Sequence, residues 1–266
     1  MNVDVYILCR NEEEILPYTL RHYLTFARHI FVYEGRSTDK SRQILQWFQA
    51  EHNKGPSKEW PHYDRINVID WEKGQQLDDA ENSRLKSVCW LGTSADWVIV
   101  VDCDELIYFP TGPQILSTLW QLGVSVVAPT GWEMMSDVFP TGPGQIYDEV
   151  KYAAPDSRWY GKPVLFRPSG VKAVSFAPGA HGGAFVLSKG DRINVDHRTP
   201  RTVPEVWLLH CKHLGPLSRI AARYDAIRAA YSANNVAHKW GNYDAGIKHA
   251  SDKRNLLLPQ VRRIIP

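Results

Sequence analysis

Asp102, Asp104 and Glu105 place three carboxyl groups within four positions, directly after the apolar run 97–101. The run is mainly β-branched and predicts a strand buried on both faces, whereas Asp and Glu are poor strand formers and are rarely buried without a partner. Two carboxylates one residue apart can share a divalent cation that keeps open positions for phosphate oxygens. The pattern therefore suggests a metal–diphosphate site, with a solvated acidic turn as the alternative.

The elements that must position these carboxylates alternate between strand and helix. Strands are predicted at 3–8, 30–33, 66–71 and 97–101, with helices of one apolar face between them. This order is typical of a mostly parallel sheet covered by helices. The strands are followed by the polar segments CRNE, EGRSTD, DWEKG and DCDE, and ligands bind at the carboxyl edge of such sheets. Ser37 or Thr38 is the expected N-cap of the second helix.

The second half of the chain has a different pattern. A short helix is predicted from Pro113, and residues 129–161, rich in Gly, Pro and aromatic residues, are predicted to form a long loop. Further strands are expected at 125–128, 163–167, 171–175, 184–187 and 206–209. A helix is expected at 216–233, followed by a polar, basic tail with a short helix.

Composition excludes several classes of protein. With 266 residues and a net charge of +2, the chain is too balanced to be mainly a non-specific nucleic-acid binder. Its four cysteines form no CxxC pair, which argues against a disulfide framework or a zinc ribbon and favours a reducing cytoplasm. We expect neither a secretion signal nor a membrane span. The missing GxGxxG and GxxxxGK[ST] patterns argue against a dinucleotide-binding Rossmann domain and a P-loop.

The order and spacing of CRNE, EGRSTD and VDCDE, followed by a strand ending in His, resemble the family-2-like branch of the GT-A-fold glycosyltransferases, which has the pattern NE…STD…DxDE…H. The resemblance covers residues 3–215. It implies one α/β domain with a GT-A-type, mostly parallel nucleotide-binding sheet covered by helices, a smaller mixed β acceptor-side region and a C-terminal helix. The expected parts are a nucleotide-sugar-binding half, an acceptor-side half and a helical extension, at 1–110, 111–215 and 216–266.

The same resemblance implies a set of donor-binding residues. Glu34 stands where family members usually carry an Asp that contacts the nucleoside, and its extra methylene shifts its reach. The implied residues are Cys9, Arg10, Asn11, Glu12, Glu34, Arg36, Lys86, Asp102, Cys103, Lys162 and His181.

A divalent cation, Mn²⁺ or Mg²⁺, is also implied by the resemblance. Its expected ligands are Asp102, Asp104 and His210, with His213 as the alternative to His210. Such an ion would bridge the diphosphate and stabilise the leaving nucleotide.

An inverting transferase also needs a carboxylate that deprotonates the acceptor hydroxyl. Glu133 is the preferred candidate, with Asp137 and Asp156 as the others. Trp159 and Tyr160 could stack on sugar or acceptor rings.

These expectations describe a metal-dependent, inverting hexosyl- or pentosyltransferase. Its donor would be a nucleoside-diphosphate sugar, with a UDP-sugar favoured, and its acceptor a hydroxyl of a glycan, a lipid-linked molecule or a modified nucleobase in DNA. Basic residues of the C-terminal third could contact DNA. A sugar nucleotidyltransferase is one alternative, although CRNEEE replaces the Gly-rich loop expected after its first strand. A non-catalytic carbohydrate- or nucleic-acid-binding protein is the other, although the DxD pair is intact.

Overall fold

Two β-sheets and nine α-helices make up the part of the chain that the computed structural model describes, residues 1–53, 64–196, 202–241 and 246–266. The strands are β1 (Val3–Cys9), β2 (His29–Glu34), β3 (Ile66–Asp70), β4 (Trp97–Asp102), β5 (Glu105–Tyr108), β6 (Val126–Ser136), β7 (Tyr152–Pro155), β8 (Leu165–Phe166), β9 (Val171–Phe176), β10 (Gly183–Leu187), β11 (Arg192–Val195), β12 (Thr202–Leu214) and β13 (Arg262–Arg263). The helices are α1 (Leu16–Leu24), α2 (Ser41–His52), α3 (Asp79–Val88), α4 (Ile115–Gln121), α5 (Ile146–Glu149), α6 (Ser157–Tyr160), α7 (Leu217–Ala229), α8 (Ala233–His238) and α9 (Gly246–Leu257).

One part of the larger sheet is parallel, with β3, β2, β1 and β4 in that spatial order. Leu8 pairs with Asp102 and Cys9 with Glu34, so the carboxyl ends of β1, β2 and β4 meet at one edge. The antiparallel β8 joins β4 to β6, which continues to β7 and β13. β12 lies parallel to β6 and antiparallel to β5. The predicted fold class, a mostly parallel sheet with helices, a smaller mixed β region and a C-terminal helix, is confirmed.

Burial on both faces explains the sequence of β4. The side chains of residues 97–101 are all 0% exposed, and the strand ends at Asp102, whose carboxylate is partly exposed. β-Branched residues suit a pleated surface that is covered on both sides. α1 buries Leu16 and Leu20, one turn apart, in the same core, as its apolar spacing predicts.

The predicted loop at 129–161 is wrong over much of its length. β6 continues through the Gly131 segment to Ser136, and α5, β7 and α6 follow within the same stretch. Glu133 pairs with His210 of β12 on one side and Ala154 of β7 on the other, so long-range pairing overrides the local Gly and Pro content. β12 is also much longer than the predicted 206–209.

Two further local predictions need correction. The N-cap of α2 is Lys40, not Ser37 or Thr38; the hydroxyl of Ser37 instead accepts a hydrogen bond from the amide of Asn11 at 2.9 Å. The tail is more ordered than expected, because α8 and the twelve-residue α9 both lie within it. The four cysteines are free thiols, as predicted. No helix within the described ranges has the length and apolarity needed to cross a bilayer.

Candidate functional site

A cleft of about 970 Å³ opens at the carboxyl ends of β1 and β4. Most of the residues proposed from the sequence line it, although they come from segments far apart in the chain. The predicted residues that line the cleft are Cys9, Arg10, Asn11, Glu12, Lys86, Asp102, Cys103, Asp104, Glu133, Asp156, Trp159, Tyr160, Lys162, His181, His210 and His213.

Three predicted residues lie outside the lining of this cleft. The carboxylate of Glu34 is fully buried, where it accepts hydrogen bonds from the Ser37 amide at 2.6 Å and from Arg42 at 2.6 Å. Glu34 therefore holds the loop after β2 in place. Arg36 forms an ion pair with Glu72, two largely exposed side chains.

Asp137, the second candidate base, also lies outside the lining of the cleft. Its side chain is 91% exposed and pairs with Arg254 of α9. The structure does not bring this carboxylate to the other predicted site residues.

The two aspartates of the DxD motif face different partners. Asp102 forms an ion pair with Lys86 of α3 at 2.7 Å and lies 4.0 Å from the ammonium of Lys162. Asp104 lies 3.0 Å from the guanidinium of Arg223 and 3.5 Å from Nε2 of His210. The chain turns immediately after β4. The carboxylates of Asp102 and Asp104 therefore contact two different groups of basic side chains, although they are only two residues apart.

The lysines on the Asp102 side are buried in the protein. Lys86 is 2% and Lys162 is 3% exposed, and Lys162 also pairs with Glu105. Burial opposes ionisation of Asp102, but the positive charges of Lys86 and Lys162 outweigh it and hold the pKa of this carboxyl below its ordinary value. The negative charges of Asp102 and Glu105 hold the pKa of Lys86 above its ordinary value despite burial. Lys86 therefore carries a positive charge toward the cleft.

Glu105 closes the turn that carries both aspartates. Its Oε2 accepts a hydrogen bond from the Asp102 amide at 3.0 Å, and its Oε1 meets the Lys162 ammonium. Glu105 is 1% exposed, so these contacts occupy a carboxylate that is closed off from solvent.

His210 is held by three groups. Nδ1 donates to Oε2 of Glu133 at 2.5 Å, and the imidazole stacks on Tyr160 with the ring centroids 4.0 Å apart. Nε2 then points to Oδ2 of Asp104. The register of β6 and β12 pairs Glu133 with His210, which places both side chains on one face of the sheet.

Glu133 also accepts a hydrogen bond from the amide of His213 at 3.1 Å. Burial would raise the pKa of this carboxyl, but His210 and His213 lower it below its ordinary value. In return, Glu133 and Asp104 raise the pKa of His210 against the effect of burial. Glu133, the preferred base in the sequence analysis, is thus an ionised carboxylate engaged in holding His210.

The expected metal ligands have different partners in the structure. Within the described ranges, no three His, Cys, Asp or Glu side chains are arranged to hold an ion. Asp102 pairs with Lys86, and His213 bonds to the hydroxyl of Tyr224 at 2.8 Å. Asp104 and His210 remain as an oxygen and a nitrogen donor 3.5 Å apart. Two protein ligands suit a divalent cation that takes its remaining ligands from phosphate and water, so this pair fits such an ion.

A carboxylate–histidine contact of this kind is typical of metal sites, because the carboxylate fixes the tautomer and orientation of the imidazole. Glu133 meets that description toward His210. Arg223 is the competing cation, since its guanidinium contacts the same Asp104 oxygen that lies nearest to His210.

Arg223 is a site residue that the sequence motifs do not include. It forms a bidentate ion pair with Glu12 at 2.7 and 2.8 Å, so α7 bridges the loop after β1 and the turn after β4. In the sequence, Arg223 is one of three arginines of α7, and no local pattern distinguishes it from Arg219 and Arg228.

Asp156 is the remaining candidate base, located just after β7. Burial, with the nearby negative charge of Glu133, raises its pKa from 3.8 to about 6. Gly131 makes this arrangement possible, because a Cβ there would lie 2.7 Å from the carbonyl carbon of Tyr160 and 2.8 Å from the carbonyl oxygen of Asp156. β6 can therefore approach the segment that carries Asp156 and Tyr160.

Comparisons with known proteins identify no family. No protein-family model matches the chain, and no curated protein sequence matches it. Among solved structures, residues 1–349 of TarS from S. aureus are 14% identical, with a TM-score of 0.40, over 90% of this chain and 68% of that chain.

Two further TarS structures are similar to the same extent. The fragment in complex with UDP-GlcNAc is 14% identical, with a TM-score of 0.41, over 90% of this chain and 69% of that chain. A longer TarS chain is 16% identical, with a TM-score of 0.40, over 90% of this chain and 41% of that chain. At these TM-scores the similarity supports no conclusion about the chemistry of this chain.

Proposed function

We propose that the protein transfers a sugar from a nucleoside-diphosphate donor to an acceptor hydroxyl, with inversion at the anomeric carbon. The observation that carries the proposal is the pairing of Asp104 with an oriented His210 in a cleft that also contains the buried cations Lys86 and Lys162. A carboxylate–imidazole pair suits a divalent cation, and buried ammonium groups suit the oxygens of a diphosphate.

Different residues of the cleft would bind the phosphates and the nucleoside of the donor. Lys86, Lys162 and Arg223 would neutralise phosphate oxygens, at the cost of loosening their contacts with Asp102, Glu105 and Asp104. Arg10, Asn11 and Trp71 line the cleft beside the ends of β1 and β3, where they would contact the nucleoside. A Mn²⁺ or Mg²⁺ ion held by Asp104 and His210 would neutralise charge on the leaving diphosphate.

Asp156 is the group we assign as general base. The acceptor oxygen would attack the anomeric carbon while its proton passes to the carboxylate of Asp156. The bond from the anomeric carbon to the phosphate oxygen would break, and its electron pair would leave with the nucleoside diphosphate. A pKa of about 6 suits this step, because the group is ionised at neutral pH and still accepts a proton.

The test is a panel of nucleoside-diphosphate sugars, UDP-sugars first, with Mn²⁺, with Mg²⁺ and with EDTA. Binding is followed by thermal shift, and donor turnover by release of the nucleoside diphosphate; the anomeric configuration of the product is read by NMR. We expect one or a few donors to bind and to release a nucleoside diphosphate. Formation of a nucleoside triphosphate and a sugar 1-phosphate when pyrophosphate is added would indicate a nucleotidyltransferase instead, and binding without turnover a non-catalytic protein.

Asp104→Asn is the variant that tests the metal pair. We expect it to fold and to lose turnover and the Mn²⁺-dependent part of donor binding. Asp137→Asn is the matched control, since Asp137 lies outside the lining of the cleft. Full turnover by Asp104→Asn would show that Asp104 is not needed for the reaction.

A further inference from the structure

The C-terminal segment, residues 231–266, is more basic than the chain as a whole, and several of its residues form one side of the cleft. This segment contains six Lys or Arg and two Asp residues, whereas the whole chain has a net charge of only +2. Lys239, Trp240, His249 and Lys253 of this segment line the cleft. A local excess of positive charge attracts an anionic ligand even when the protein as a whole is nearly neutral.

Aromatic rings lie beside these lysines. The ammonium of Lys253 is 5.8 Å from the ring centroid of Trp159, whose side chain is 37% exposed and lines the cleft. Trp240, also in the lining, stacks on His238 with the ring centroids 4.6 Å apart. Exposed aromatic faces next to basic side chains are the pattern by which proteins hold the bases and phosphates of an unpaired nucleic-acid strand.

We propose that the acceptor is a hydroxyl-bearing nucleotide within a nucleic acid, with its base stacked beside Trp159 and its flanking phosphates against Lys239 and Lys253. This inference rests on the proposed function and specifies its acceptor. A nucleobase would contact the indole, and its flanking phosphates the lysines. An anionic saccharide polymer could also meet the lysines and stack a sugar ring on Trp159, so it is the competing acceptor that a comparison with heparin tests.

The size of the cleft limits how much of the acceptor can enter it. About 970 Å³ must hold the donor as well as the acceptor group, so it admits a single nucleotide and not a stacked duplex. Enzymes that act on a base take it out of the helical stack, and unpairing is least costly for a single strand. We therefore expect single strands to bind more tightly than duplexes. The acceptor's proton would pass to Asp156, which lies in the same lining.

The experiment measures binding of fluorescein-labelled 12-mer DNA and RNA, single-stranded and duplex, by anisotropy over a series of salt concentrations. We expect single strands to bind and Trp159→Ala to lose about 5- to 150-fold in affinity, the usual loss on removing one stacking residue. Lys239→Ala and Lys253→Ala should each lower the slope of log K against log salt by about 0.7. Lys172→Ala with Lys189→Ala, two exposed lysines outside the lining of the cleft, is the matched control and should bind like the wild type.

Heparin, which has the charge but no bases, separates the two kinds of anionic acceptor. If heparin binds as tightly as the oligonucleotides, whether or not Trp159→Ala changes the two affinities, the site does not select a nucleic acid and the proposal is wrong. Absence of oligonucleotide binding by the wild type also overturns it. Thermal shift with the nucleotide-sugar panel is run on every variant, because donor binding without oligonucleotide binding refutes the acceptor alone and leaves the proposed transfer intact.

Discussion

Replacing Asp156 with Asn is expected to abolish activity and stabilise the protein at the same time. The pKa of Asp156 is raised from 3.8 to about 6, chiefly by burial. A shift of about two units corresponds to roughly 3 kcal/mol, and the partial exposure of the side chain reduces this to about 1–2 kcal/mol. The raised pKa means that the folded protein binds the Asp156 proton more tightly than the unfolded chain does. The ionised carboxylate therefore destabilises the fold above pH 6, and this penalty disappears as the pH falls from 6 toward 3.8.

The Asp156→Asn variant removes that penalty. At pH 8 we expect its Tm to exceed that of the wild type by about 2–8 °C, at 2–4 °C per kcal/mol for a chain near this size. At pH 4 the two proteins should melt together. Loss of the general base should reduce kcat/KM by about 10²- to 10⁴-fold. The wild type should lose activity tenfold per pH unit below about 6, in kcat/KM measured from pH 5 to 9.

Two results would refute this reasoning. The first is an Asp156→Asn variant that retains more than a tenth of wild-type kcat/KM. The second is a variant with low activity whose residual pH profile still falls below pH 6, which would assign that ionisation to another group. Asp137→Asn, a carboxylate change outside the cleft lining, controls for non-specific effects and should alter neither Tm nor rate beyond error.

Three other changes test the surrounding geometry. Glu133→Gln should weaken Mn²⁺ binding about 10- to 100-fold, because the imidazole of His210 loses the carboxylate that orients it. Binding is measured by calorimetry on the protein without substrate. An unchanged affinity would show that Glu133 does not support the metal pair. Lys86→Met should raise KM for the donor more than it lowers kcat. It should also destabilise the fold by about 1–3 kcal/mol in urea unfolding, because Asp102 loses its nearest cation. An unaltered KM would show that Lys86 does not bind the donor phosphates. Gly131→Ala should destabilise the protein by about 1–3 kcal/mol, since the added methyl group meets backbone atoms; a wild-type Tm would show that the close approach is absent.

Local patterns in the sequence were sufficient to predict the parallel half of the sheet. β1 and β4 are short, mainly apolar runs that are followed by polar residues, and burial on both faces selects such runs. The same logic located the Asp102–Asp104 turn and the loop after β1 at one edge of the sheet. These predictions depend only on residues that are close together in the chain.

The rest of the site depends on contacts that no local pattern records. Glu133 and His210 are 77 residues apart and Glu12 and Arg223 are 211 apart, so neither pair is visible before the strands and α7 are assembled. The part of β6 that follows Ala128 was predicted to be a loop for the same reason. Its two neighbours, β7 and β12, supply the pairing that its Gly and Pro residues argue against.

The choice of Asp156 over Glu133 as base follows from how the carboxylates of the cleft are paired. Ion pairs join Glu12 to Arg223, Asp102 to Lys86, Asp104 to Arg223 and His210, Glu105 to Lys162, and Glu133 to His210. A nearby positive charge lowers the pKa of a carboxyl, and it does so for Glu133 in spite of complete burial. A carboxylate in that state binds a proton too weakly to act as a base near neutral pH.

Within the described part of the chain, Asp79 and Asp156 are the cleft carboxylates without an ion pair, and burial raises the pKa of both. Asp79, at the start of α3, accepts a hydrogen bond from the side-chain amide of Asn235 in α8, whereas Asp156 lies near Glu133 and His210. Negative charge on Glu133 makes Asp156 more basic, and Glu133 simultaneously orients His210 toward Asp104. Glu133 would transfer no proton in the proposed reaction. It would still raise the pKa of the base, Asp156, and hold the imidazole of the metal pair in place.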